Sequence, residues 1–317
     1  MSQYSYNAFE SFITKCIKIS NTVADADNFV QIHNLANYFN AKIELRPLLV
    51  EGMLASRPNI NSKNISNNKW TVFIDSETFS NITSEHFLSE SINSPLPERM
   101  RNTIAHELIH TLAFHISENG IKFTNNKKSN ISSDKFIKII ESETERFSPL
   151  LLIPEKTLDK YFSAKTQTVS INDLIYLKTA MGVSRYVLIN RLCLLRMHDK
   201  NDICYRPPLR NLAIGIGQWK GKNNLIFKDW PIFFNFDGNI IPDFLSTTNK
   251  QTQPQLMDLF NDINFYLLGG NNNSANFNTS FGTINNPGTR TYNIRCIVEQ
   301  APRTSGKEFF YILQLIN

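Results

Sequence analysis

At 317 residues the chain exceeds one average domain and suits two. Hydrophobic residues make up 41% and charged residues 19%, which excludes wholesale disorder and allows a sizeable core. The net charge of +5 is spread thinly, with 23 Lys+Arg against 20 Asp+Glu in residues 1–200 and 10 against 8 in 201–317, so charge alone makes no case for nucleic-acid binding.

The opening run, MSQYSYNAFESFITKCIKIS, has no continuous apolar segment, so no signal peptide is expected. No stretch approaches the roughly 18 apolar residues needed to span a bilayer. Residues 5–19 and 26–40 read as helices; the second carries Phe29, Ile32, Leu35, Ala36 and Phe39 at helical spacing, with Asp25 or Asp27 as its cap. Lys42–Arg46 and Lys69–Asp75 read as strands, separated by a polar loop from Asn59 to Asn68. Pro95 and Pro97 introduce a long helix over 97–118, which Gly120 would close. A polar run, Thr124 to Ser133, precedes a helix that begins near Asp134 and ends before Pro154.

Residues 170–181 and 184–197 form a helix pair around a Gly-Val-Ser turn, as in a helix-turn-helix. A domain boundary is expected near 200–210. Beyond it, short β-like runs (Leu212–Ile216, Asn224–Phe227, Ile232–Asn235, Tyr292–Gln300 and Glu308–Ile316) alternate with Asn/Gly-rich turns. One helix is expected at 254–262, and Gly269–Ser274 reads as an exposed loop tip. Cys16, Cys193, Cys204 and Cys296 form no C-x-x-C pair and fit unpaired thiols in a reducing cytoplasm, packed as small hydrophobes.

The chemistry concentrates in the 97–118 helix. His106 and His110 stand one turn apart, so both imidazoles project from one face and can bind one zinc ion. Glu107 lies about 100° around, where its carboxylate reaches a water beside the metal rather than the metal. Met100, Ile104 and Leu108, with Ala105, Ile109, Leu112 and Ile116, form two apolar ridges that seat the helix in a core. Chance yields H-E-x-x-H about once in two hundred chains of this His and Glu content, so the motif is informative. A catalytic zinc needs a third protein ligand, and the next helix offers Glu141, Glu143 and Glu145. Glu141 and Glu145 share a face; one can bind metal while the other takes a hydrogen bond from a ligand histidine. His115 is rotated about 140° off the ligand face, and His33, His86 and His198 have no partner motif. Arg99, Arg101 or Tyr161 are candidates to stabilise an oxyanion.

Thr103–His110 (TIAHELIH), then Glu141-x-Glu-Thr-Glu-x-Phe147, Leu151-Leu-Ile-Pro154 and Met181–Leu192, resemble the ImmA/IrrE metallopeptidases, also called the DUF955 family. The likeness covers about residues 20–200. It departs at Ile109, Thr144, Glu145 and Ser148, where the family usually has Gly, Ala, Asn or Asp, and Ala; Pro149 inside the helix is also unusual.

The resemblance implies an α+β, zincin-like (gluzincin) fold. It implies zinc, or manganese or another divalent ion, on His106, His110 and Glu141, with Glu107 as general base and Glu145 in support of a ligand histidine. It also implies a cytoplasmic enzyme that cleaves a helix-turn-helix (XRE-type) repressor, inducing stress, mobile-element or phage-response genes. The expected layout is a metallopeptidase domain at 1–160, helix-turn-helix-like helices at 161–204, and a β-rich, GAF-like sensory domain at 205–317 that receives a small-molecule or protein signal.

A rival reading is a regulatory protein-binding or DNA-binding module with a structural or vestigial metal site. Against DNA, the 184–197 helix offers only Arg185, Arg191 and Arg196 on a mostly apolar surface, which reads as packing.

Overall fold

The computed structural model describes residues 3–57, 69–118, 133–164, 169–198, 212–219, 225–228, 275–281, 292–300 and 308–316. The features expected at 59–68, Gly120, 124–132, Ile232–Asn235, 254–262 and Gly269–Ser274, and the 200–210 boundary, lie outside the described residues. The fold is a helix-rich α+β arrangement. Chain contacts divide it into two compact units, Met1–Tyr161 with Leu177–Arg191, and Phe162–Tyr176 with Leu192–Asn317.

The first unit has a three-stranded sheet in the order β1-β3-β2. Strand β3 (Lys69–Asp75) is central, which is why Trp70, Val72 and Ile74 are buried. It pairs in parallel with β1 (Ala41–Arg46) and antiparallel with β2 (Gly52–Arg57). Strand β2, for which no alternating pattern exists, is one edge of the sheet and β1 the other. Helix α1 (Gln3–Val23) buries Phe12, Ile13, Cys16 and Ile19 at helical spacing, and Phe12 meets Phe147 at 4.9 Å between ring centroids. Burial pushes the Cys16 thiol up, so it packs as an inert hydrophobe.

Helix α2 (Ile32–Tyr38) starts later than its apolar spacing predicts. Asp25 does not cap it; Asp25 Oδ1 accepts the N–H groups of Asp27 and Phe29 at 2.9 Å and closes a local turn. The cap comes from Glu90, whose Oε2 accepts the Ile32 N–H at 2.6 Å. A side chain 58 positions away cannot be read from local sequence. The same carboxylate is paired with Arg101 and accepts the Leu96 N–H at 3.3 Å. Arg101 donates further to the Val30 carbonyl at 2.9 Å and the Met181 carbonyl at 3.3 Å, and lies over the Phe29 ring. Both charged side chains are fully buried.

Helix α4 (Glu98–Glu118) follows the short α3 (Ser84–Leu88), and buries Met100, Ile104, Leu108, Ala105, Ile109 and Leu112 of the two expected ridges; the side chain of Ile116 lies outside the described residues. It packs on α5 (Ser133–Leu152). Pro149 leaves the Glu145 carbonyl without its helical amide partner, yet α5 continues to Leu152. Ser148 explains this: its hydroxyl lies 3.2 Å from that carbonyl and 3.2 Å from Asn102 Oδ1.

After α6 (Glu155–Ser163), helices α7 (Ile171–Ala180) and α8 (Arg185–His198) form the expected pair. Gly182 has φ +58°, and the bonds Val183 N–H to Lys178 O and Gly182 N–H to Thr179 O make a Schellman C-cap. Ser184 Oγ then accepts the Val187 N–H at 3.2 Å and caps α8. Arg191 is buried, donating to the Ile153 carbonyl at 3.0 Å and pairing with Glu155. Val187, Leu188, Ile189 and Leu192 are buried as well. The second unit holds a five-stranded antiparallel sheet of β4 (Leu212–Trp219), β5 (Leu225–Lys228), β6 (Ala275–Phe281), β7 (Tyr292–Gln300) and β8 (Glu308–Ile316), in the order β5-β4-β8-β7-β6.

The turn between β3 and α3 rests on Asp75. Its carboxylate accepts the Thr78 hydroxyl at 2.6 Å and the N–H groups of Thr78 and Leu48 at 2.9 and 3.0 Å. These bonds, the Thr78 hydroxyl foremost, lower its pKa from 3.8 to about 2. A depressed carboxylate stabilises the fold fully above the unfolded value. That contribution is therefore expected to fade only as pH falls from about 4 toward 2, and acid titration of amide exchange at Leu48 and Thr78 checks it.

Candidate metal centre

His106 and His110 emerge on the face of α4 that the apolar ridges leave free, each about one-fifth exposed. Their rings stand edge to face with centroids 5.0 Å apart. Glu141, on α5, meets both. Its Oε2 lies 3.1 Å from His106 Nε2 and its Oε1 3.4 Å from His110 Nε2. One ligand atom from each residue falls within 4.8 Å of the others. In a tetrahedral site with bonds of 2.0–2.1 Å, neighbouring ligand atoms stand about 3.3 Å apart. The two observed separations, one to each Glu141 oxygen, lie close to that value, so the three residues could hold a divalent cation. Burial pushes the His110 pKa down against the pull of Glu141, favouring the neutral imidazole that can ligate.

Glu107, next to His106 in the chain, is largely buried. Burial raises its pKa, His106 opposes the rise, and Glu141 adds to it, so the carboxylate is a better proton acceptor than an exposed one. It also accepts the backbone N–H of Leu54 on β2. Sequence reasoning missed this contact, because a backbone donor leaves no side-chain signal. Gly52 has a comparable reason: a Cβ there would stand 2.5 Å from Thr103 Cγ2 and 3.4 Å from Glu107 Cγ and Oε1. Gly52→Ala should lower stability by about 1–3 kcal/mol and pull Leu54 away from Glu107. A denaturation midpoint matching wild type would refute the tight fit.

Glu145 is exposed and accepts the Tyr186 hydroxyl at 3.3 Å. The group facing His110 Nδ1 is Thr144 Oγ1, at 3.5 Å and buried. Of the oxyanion candidates, Arg101 is committed to Glu90 and Arg99 pairs with Glu51. His33 bonds Asn37 and His86 caps α3 with Thr83. The side chains of His115 and His198 lie outside the described residues.

Two imidazoles one turn apart, facing a carboxylate from the next helix of an α+β unit, form a group that could hold a metal ion. Residues 92–193 match the Peptidase_M78 family model, the IrrE N-terminal-like domain, and this match supports the ImmA/IrrE resemblance over that part of the chain. No curated protein matches the chain. Among solved structures, a Mycobacterium tuberculosis transcriptional regulator is similar at 11% identity, with a TM-score of 0.45 over 96% of this chain and 87% of that one. Among the described residues, no helix is long and apolar enough to cross a membrane.

Proposed function

We propose that this chain is a divalent-metal endopeptidase of gluzincin type, and that its substrate is a helix-turn-helix repressor of XRE type whose cleavage induces stress or mobile-element genes. The observation that carries the reading is the convergence of His106, His110 and Glu141 beside Glu107 at a sheet edge. Those three ligands would hold the ion, zinc or manganese, which when bound supplies Lewis-acid polarisation of the peptide carbonyl and acidifies a water. The β2 edge receives the peptide in extended form by strand addition. Glu107 accepts the proton of the attacking water and returns it to the leaving amine.

We assign residues 1–160 to the peptidase domain, 161–204 to helix-turn-helix-like helices and 205–317 to a sensory domain. The buried apolar positions of α8 and the pairing of buried Arg191 with Glu155 favour packing over groove reading for the helix pair. The antiparallel sheet with β4 beside β8 fits a GAF-like sensor. Metal analysis tests the centre: wild type should carry about one metal per chain and Glu141→Ala almost none. Equal metal in both would remove Glu141 as a ligand, and a metal-free wild type in zinc-supplemented cells would return the chain to the binding-module reading.

A further inference from the structure

The loop between β1 and β2 displays aliphatic side chains to solvent and is nevertheless tied down. Leu49 is fully exposed, Val50 is 58% exposed, and Met53 on β2 is 45% exposed. The loop is anchored at both ends. Asp75 Oδ1 accepts the Leu48 N–H at 3.0 Å, and the Asp75 N–H donates to the Glu51 carbonyl at 2.9 Å. The Glu51 carboxylate pairs with Arg99 and lies 3.5 Å from the Thr103 hydroxyl, both on the helix that carries the histidines. The backbone of Leu49 and Val50 is thus held between two anchored residues while their side chains stand in water.

Register places them beside the site. Glu51 receives the Asp75 N–H, so alternation along the antiparallel pair turns the backbone groups of Gly52, Leu54 and Ser56 to the free edge. Leu54 is the residue whose N–H reaches Glu107. A peptide added antiparallel to β2, with its cleaved bond beside Glu107, therefore runs past Gly52 toward Val50 and Leu49 with its C-terminal half.

We propose that Leu49 and Val50 are specificity-determining residues that select a bulky aliphatic or aromatic side chain two to four residues C-terminal to the cleaved bond. The proposal rests on the peptidase reading for what happens next, but recognition does not require turnover. The test uses the full-length Glu107→Gln chain and a positional library of fluorescein-labelled decapeptides, read by fluorescence anisotropy. At one or two positions Leu, Ile or Phe should bind about tenfold tighter than Asp or Ser. Leu49→Asn/Val50→Asn in the same background should bring that ratio below about threefold, with an unchanged melting curve. Equal binding of apolar and polar peptides, no binding of any, or a preference that survives the double substitution would each overturn it. Failure of the peptidase reading shows separately, as peptide fragments that form at the same rate with the wild-type chain and with Glu107→Gln.

Discussion

Glu107→Gln should retain the full complement of metal and lose about 10²–10⁴-fold in cleavage rate. The amide keeps the length of the side chain and can still meet the Leu54 N–H through its oxygen, so the structural bond survives while the proton acceptor is lost. Because Glu107 lies outside the His106, His110 and Glu141 group, metal content measured by mass spectrometry should not move. Cleavage that persists in the variant would remove Glu107 from the chemistry. Metal lost together with activity would mean that Glu107 is a ligand, and that the buried carboxylate next to His106 has a different task.

Arg101→Met should destabilise the fold by about 3–5 kcal/mol, the largest effect expected of any substitution away from His106, His110 and Glu141. The methionine fills much of the volume but leaves Glu90 charged and buried, holding only the Ile32 and Leu96 amides. Burial already pulls the arginine pKa down while Glu90 holds it up, so each charge depends on the other. Adding Glu90→Gln should recover a good part of the loss, because no isolated charge then remains. Urea midpoints of the two variants measure this. A single variant within about 1 kcal/mol of wild type would show that the pair stabilises little.

Much of the site was legible because its information is local. Pro97, the two apolar ridges and H-E-x-x-H all lie at the start of or within one helix, where period and spacing report orientation directly. Strands β1 and β3 were legible for a similar reason, and β7 and β8 matched their expected bounds. Strand β2, reading GMLASR, shows no alternation, and its conformation follows from pairing with β3. The Leu54 contact to Glu107 was therefore out of reach. Strand β6, ANFNTSF, is too polar to stand out and is placed by its neighbour β7. The partner of α2 was missed because Glu90 acts across the fold, while Asp25 was merely nearer in pattern. Arg101 looked available to a substrate because a charged residue on an active helix usually is; only tertiary contacts place it inside.

The Arg101 cage also sets an order of assembly during synthesis. Met181 and Gly182 belong to the unit that holds the metal group, although residues 162–176, which precede them in the chain, do not. The ribosome therefore delivers His106, Glu107, His110 and Glu141 before the turn that supplies the Met181 carbonyl and sets Gly182 against Arg101, Pro95 and Phe29. Until that turn emerges, one wall of the cage is open and the helix that carries His106 and His110 rests on an unfinished core. A nascent chain halted between residues 162 and 176 would hold His106, His110 and Glu141 and lack the turn that closes the Arg101 cage.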